Sequence, residues 1–185
     1  RVMSREYYFK SSITWSICGG VFAVRYRPQG SIFDVGGSSL FPYDENNYYY
    51  IIALLNSKVI LELLKVLNPT INTQTGDIKN IPYVESDKKE YIEEKVKECI
   101  EIAKEVWNEN ELSWDFNKHS LISKNNVYIK DAFKEIELKC LDRYNTMKKN
   151  EEDLNRIFID MYGLNDMIKP YVEEKDITAK KADKL

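Results

Sequence analysis

Apolar and polar positions alternate in the first quarter of the chain and recur at helical spacing thereafter. Ser12-Ile-Thr-Trp15 and Phe22-Ala-Val-Arg-Tyr26 place β-branched and aromatic residues near period two, which predicts short strands. Gly19-Gly20 lies between them as a hairpin-like turn signal. Pro28-Gln29-Gly30 breaks the second run, Ser31-Ile-Phe33 restarts it, and Gly36-Gly-Ser-Ser39 reads as a small-residue loop before Leu40-Phe41-Pro42. These elements predict a small, mostly antiparallel sheet. Asp44-Glu-Asn-Asn47 then supplies N-cap candidates for a helix over 48–55 that is apolar nearly all round and so must be buried. Asn56-Ser57 interrupts it, and Ser57 is placed to cap a second helix, 58–67, which Pro69 stops because proline disfavours helical geometry in the preceding residue. Residues 70–80 read as extended or looped, with 70–77 an arm, and Ile81-Pro-Tyr-Val84 as a last edge strand.

From Glu85 the pattern changes. Asp87 and Glu90 form a capping-box-like pair, and Ile92, Val96, Cys99, Ile100, Ala103 and Trp107 mark one stripe of a helix over 87–107. Residues 108–126 form a linker carrying Ser113-Trp-Asp-Phe116. Phe133, Cys140, Met147, Leu154 and Met161 recur every seven residues, supported by Ile136, Tyr144, Ile157 and Phe158. That heptad predicts a long helix over 128–162 packed as a hairpin on the 87–107 helix, with Gly163 as its C-terminal stop. Residues 165–185 read as an extended tail, frayed from Lys175. The fold class is therefore α+β: a small sheet with two packed helices (1–84), a helical spacer (85–164) and the tail.

Composition adds bounds. The 185 residues are 43% hydrophobic and 31% charged, ordinary for a globular chain able to bury a real core. No apolar run approaches a membrane span, and no signal-peptide pattern opens the chain, so no membrane partner and a cytoplasmic setting are expected. Arg1 in place of Met is read as the start of a piece excised from a longer protein. The three cysteines are far apart with no CxxC spacing, which fits a reducing compartment, and two of them fall on apolar helix faces as small core hydrophobes. The net charge of −3 hides an asymmetry: residues 1–82 carry +2 and residues 83–185 carry −5. A basic front and an acidic helical rear argue against a chain that coats nucleic acid along its whole length but leave room for a local basic patch.

Catalytic sets are scarce. His119 is the sole histidine and sits in the linker without a nucleophile motif; a metal site would need ligand clusters that the chain lacks. Glu137-Leu-Lys139 echoes half of a nuclease site but falls inside the heptad helix, and no phosphate-cradling glycine motif occurs. No catalytic or metal residue is assigned. What remains is a binding signature. Arg25 and Arg27 share one strand face, with Tyr26 on the other. With Lys10, Lys58 and Lys79 they form a modest cationic set beside Ser38, Ser39, Thr70, Asn72, Thr73 and Gln74. Cations attract phosphates, and small polar side chains can bond phosphates or base edges. An ordinary solvated sheet face accounts for the same residues, and Tyr48-Tyr49-Tyr50 reads more simply as core than as a base-stacking platform.

The segments ITWSICGGVFAVRYRPQGSIFDVGGSSLFP, YYYIIALLNSKVILELLKVLNPTINTQTGDIKNIPYV, SWDF and LNRIFIDMYGLND resemble the C-terminal part of adenine-specific DNA methyltransferases. The nearest type is the PglX-type enzyme of BREX phage-defence systems, with kinship to fused type II restriction–modification enzymes. The resemblance runs from Ile13 to about Thr178. It implies an upstream methyltransferase domain in the same polypeptide, holding S-adenosylmethionine and an Asn-Pro-Pro-Tyr type catalytic motif. The one Asn-Pro here, Asn68-Pro69-Thr70, lacks the second proline and the aromatic, so this stretch should neither bind that cofactor nor methylate by itself. The implied role is recognition of duplex DNA, with the target adenine flipped into the catalytic domain. Under it Arg25, Arg27, Lys58 and Lys79 contact phosphates, and Ser38, Ser39, Thr70, Asn72 and Gln74 contact a groove. A rival reading makes the long helix a protein-interaction scaffold for other defence-system subunits. Exposure of the Phe133/Cys140/Met147 stripe would favour it.

Overall fold

A computed structural model describes residues 4–122 and 128–182. The chain is α+β: strands β1 (Ser12–Ser16), β2 (Arg25–Arg27) and β3 (Gly37–Leu40), then helices α1 (Tyr48–Asn56), α2 (Lys58–Leu67), α3 (Thr75–Lys79), α4 (Lys89–Asn108) and α5 (Ile129–Met161). Two compact units result: Arg1–Val96 with Leu154–Pro170, and Lys97–Asp153 with Tyr171–Leu185. Helices α4 and α5 contribute residues to both, so the compact units cut across the segments 1–84, 85–164 and 165–185.

In the first unit the sheet order is β2-β1-β3, antiparallel throughout. The register pairs Ile13 with Tyr26 and with Leu40, and Thr14 with Arg25 and with Ser39. Period-two alternation therefore sends Ile13, Trp15 and Tyr26 to one face, and Thr14, Arg25 and Arg27 to the other. Three expectations are corrected here. The Gly36–Ser39 loop is the third strand, because its small residues allow close pairing beside β1, and Asp34 Oδ1 accepts from Gly37 N–H (3.0 Å) at its start. The run at 31–33 and most of the run at 22–26 pair with nothing in the sheet; β2 keeps only Arg25 and Tyr26 of the second run and adds Arg27. Residues 81–84 form no strand. Their carbonyls accept instead from phenols, Pro82 from Tyr162 (2.5 Å) and Val84 from Tyr50 (2.6 Å). Burial, with Tyr83 and Tyr162 adding, pushes the Tyr50 phenol up to about 12, so it stays a neutral donor.

The predicted helix pair is present with its bend. Asn56 grips Val24 from both sides, its Oδ1 accepting from Val24 N–H (2.9 Å) and its Nδ2 donating to Val24 O (3.1 Å). Ser57 is buried, and its hydroxyl accepts from Ile60 N–H (3.4 Å) as the α2 N-cap. Asn155, from α5, accepts the Lys58 N–H (2.9 Å) and donates to Pro170 O (3.2 Å). The core of this unit gathers Ile13, Trp15, Tyr50, Val59, Ile60, Ile92 and Phe158, with the Tyr50 and Phe158 rings 5.9 Å apart.

In the second unit α4 and α5 pair as expected. Arg143 is buried between two glutamates, Nη2 to Glu105 Oε2 at 2.7 Å and Nη1 to Glu109 Oε2 at 2.9 Å, and Lys139 adds a 3.1 Å bond to Glu109. Cys140 and Met147 of the heptad are buried, whereas Phe133 remains 51% exposed. Trp107 is also exposed, and the neighbouring Val106 packs against the core instead. Ser86 rather than Asp87 opens α4, its hydroxyl accepting from Lys88 N–H (3.1 Å). Gly163 closes α5 at φ +67° in a Schellman arrangement, with Leu164 N–H on Ile159 O (2.9 Å) and Gly163 N–H on Asp160 O (3.0 Å). The expected frayed tail is docked: Val172, Ile177 and Ala179 are buried against Tyr144 and Met147. Residues 123–127 of the linker and 183–185 of the tail lie outside the described residues.

Two outcomes follow from these contacts. Ser57→Ala removes the side-chain cap and leaves Ile60 N–H only its 3.1 Å bond to the Ser57 carbonyl, so the urea midpoint should fall by the equivalent of about 1 kcal/mol. Burial alone would push Glu109 up, but the Arg143 and Lys139 bonds outweigh it and hold its carboxyl below the usual 4.5. A depressed carboxylate adds stability above its unfolded value and loses it as pH falls through its folded value. Wild type should therefore lose melting temperature below about pH 4.5 more steeply than Glu109→Gln; equal slopes would reject the ion pair as the cause.

Candidate nucleic-acid interface

The segment after α2 is folded back, which corrects the expected extended arm over 70–77. Asn68 organises it: Nδ2 donates to Asn72 O (2.8 Å) and Asp77 Oδ2 (2.7 Å), while Oδ1 accepts from Thr70 N–H (3.0 Å) and Thr70 Oγ1 (2.7 Å). Asp77 in turn accepts from Gln74 N–H (2.7 Å), capping the short α3. The other edge is tied to the sheet. Thr73 N–H donates to Ile17 O (2.9 Å), Trp15 Nε1 donates to Thr73 O (3.0 Å), and Asn72 bridges Cys18. An Asn, an Asp and a Trp thus pair backbone groups of an irregular surface loop and hold it in one conformation. Thr70, Asn72 and Gln74 remain at its surface, and the Thr70 hydroxyl is engaged by Asn68.

Beside this loop lies a cleft of about 1010 Å3. Its walls carry Tyr26, Tyr48 and Tyr49, its rim Tyr7, Phe41 and Tyr43, and α3 contributes Thr75, Ile78 and Lys79. The 3-10 turn Arg5–Tyr7 is fastened to the β2–β3 connection by Phe9 N–H on Ser31 O and Gly30 N–H on Phe9 O, both 3.1 Å. Phe9 holds φ +65° to do so, an uncommon conformation for a bulky residue. The rings are mutually braced: Tyr26 stacks on Tyr49 (centroids 6.2 Å, 27°), meets Tyr48 edge-on (6.3 Å), and Tyr7 leans on Phe41 (4.7 Å). Tyr48 and Tyr50 are buried core, as the simpler reading of the tyrosine run expects, and only Tyr49 lines the cleft partly exposed.

The nine candidate residues separate. Ser39 and Lys79 line the cleft, together with Lys10. Ser38 is 6% exposed within β3. Arg25 is exposed on the opposite sheet face, and Arg27 beside it is turned inward, donating from Nη1 to Ile32 O (3.0 Å) with its guanidinium 5.3 Å from the Phe33 ring. Burial lowers the Arg27 pKa, with Tyr48 opposing, and its Nε and Nη2 are inaccessible and lack a partner. Arg27 therefore braces the 28–33 connection. Lys58 opens α2 at the Asn155 contact. The aromatic cleft was missed in the sequence because its rings come from five separate stretches; the only local signal is the density of tyrosines between 43 and 50.

Other chemistry is sparse. Among the described residues no group of three or more His, Cys, Asp or Glu is placed to hold a metal, and no helix is long and apolar enough to cross a membrane. His119 is exposed, its Nδ1 accepting from Leu121 N–H (3.2 Å). Glu137 and Lys139 lie on α5, where Lys139 pairs with Glu109. Asn68→Ala breaks four bonds of the 70–77 loop. Amide exchange at Thr70 and Gln74 should quicken markedly while the core amides of α1 keep their protection, with a global loss of about 1–2 kcal/mol.

No protein-family model matches the chain. It is 35% identical, over 99% of its length, to the adenine-specific methyltransferase PglX of Lacticaseibacillus casei (strain Zhang), and covers 16% of that relative. It is 34% identical, over 86% of its length, to the adenine-specific methyltransferase BrxX of Escherichia coli O9:H4 (strain HS), and covers 13% of it. The chain thus spans less than a fifth of the length of these curated relatives, and it is homologous to one segment of two adenine-specific methyltransferases.

Proposed function

We propose that the chain is a DNA target-recognition fragment of an adenine-specific (N6) DNA methyltransferase acting in BREX-type phage defence or a related restriction–modification system. The observation that carries this reading is the 35% identity with the adenine-specific methyltransferase PglX over 99% of the chain. In the proposal, the first unit binds duplex DNA and helps position the target adenine for a methyltransferase domain outside this chain. S-adenosylmethionine and the methyl-transfer chemistry belong to that domain. Lys10 and Lys79 supply phosphate contacts at the cleft, Arg25 supplies another at the edge strand β2, and the exposed Asn72 and Gln74 contact a groove. Arg27 and Ser38 support the sheet behind them.

A second reading, a docking scaffold for other defence subunits, is favoured by exposed apolar residues of the second unit. Trp114 is 103% exposed, and Phe133 and Trp107 are about half exposed. The buried Cys140 and Met147 weigh against a continuous stripe there.

Each cation that neutralises a phosphate releases counterions, so binding falls linearly with log salt, with a slope set by the number of contacts. Titration of the full chain with duplex DNA across a salt series should show that slope. Arg25→Gln and Lys79→Gln should each flatten it by about 1 and weaken binding on all sequences alike. An unchanged slope in the double variant would sink the surface assignment. The chain alone should transfer no methyl group from labelled S-adenosylmethionine to DNA; transfer would place catalysis within these residues instead.

A further inference from the structure

Beyond duplex contact, we propose that the cleft beside α3 receives an unpaired nucleobase of the bound DNA, stacked between tyrosine rings. The inference rests on the reading of the chain as DNA-binding. Three observations carry it. First, Tyr43 is 109% exposed, a ring standing wholly in water at the rim of a cleft that Tyr26, Tyr48 and Tyr49 also line. Second, four of the rings are braced before any ligand arrives, Tyr26 on Tyr49 at 27° in the wall and Tyr7 on Phe41 at the rim, so accepting a flat guest orders few side chains. Third, Lys10 and Lys79 outnumber the single acid, Glu45, in a chain whose net charge is −3. An aromatic cleft with a cationic rim suits a planar ring carried on an anionic backbone better than an apolar peptide.

The remaining lining groups match a base edge. Gln29 offers both a donor and an acceptor, Ser39 and Thr75 offer hydroxyls, and Glu45 is an acceptor for an exocyclic amine. Stacking is tolerant of base identity, so the cleft holds an extrahelical base without reading it closely. At about 1010 Å3 the space is at the upper limit of ligand cavities, roughly 300–1,000 Å3, and admits a nucleotide with its sugar and phosphate.

The test compares three duplexes in binding to the full chain: fully paired, carrying one bulged base, and carrying an abasic bulge with the same number of phosphates. The bulged base should bind about tenfold more tightly than the abasic bulge, and 2-aminopurine at the bulge should be quenched on binding. Tyr43→Ala, a change at a fully exposed side chain, should remove most of that preference and leave the abasic affinity unchanged. Tyr49→Phe should behave as the parent and Tyr49→Ala as Tyr43→Ala. Equal affinity for the bulged and abasic duplexes overturns base capture while DNA binding stands. Failure to bind any of the three overturns the DNA-binding reading as well.

Discussion

The bend between α1 and α2 is the constraint on which the first unit depends. A nine-residue helix and a ten-residue helix, both largely apolar, leave unpaired backbone groups where they meet, and that junction is close-packed. Three short polar side chains satisfy it. Asn56 ties the bend to the Val24 backbone next to β2, Ser57 caps α2, and Asn155 brings the Lys58 amide under the end of α5. Sheet, helix pair and distant chain are thereby held at one point. Each bond is worth about 1 kcal/mol net, but a buried group left unmade costs more, so the junction specifies geometry more than it adds stability.

That geometry fixes the direction of α2, which Pro69 stops, and hence where the 68–80 segment begins. Asn68 and Asp77 convert a polar exit into a fixed loop and a single turn of helix, and Trp15 and Ile17 hold its other edge to β1. The loop in turn presents α3 as one wall of the aromatic cleft. Asn68 therefore acts on the site through the hydrogen bonds that fix the 70–77 loop.

Charge is divided by a similar logic. In the first unit Lys10 stacks on Tyr7 at 5.4 Å and Arg27 on Phe33 at 5.3 Å, while Lys65 and Lys89 pair with Glu62 and Glu85. In the second unit the acidic excess is partly consumed within the hairpin, where Arg143 and Lys139 pair with Glu105 and Glu109. Asn150 also donates a 2.7 Å hydrogen bond to Glu98, a contact that brings no charge of its own. The net charge of each stretch is thus a poor guide to what its surface offers.

The amino-acid sequence alone determined the elements whose signals are local: the Ser57-capped helix Lys58–Leu67, the stop at Pro69, the Gly163 terminus, and the heptad that buries Cys140 and Met147. Spacing, caps and φ preferences act within a few residues, so they are legible without a fold. Tertiary structure decided what depends on partners far along the chain. It made a strand of Gly37–Leu40, whose small residues carry little propensity of their own but fit beside β1. It turned Arg27 inward to Ile32 and Phe33, folded the 70–77 segment onto Ile17, and docked Ile177 and Ala179 under α5. The aromatic cleft is of the same kind. Tyr7, Tyr26, Phe41 and Tyr49 lie in different elements, and only the closing of the sheet against the helix pair brings their rings to one space.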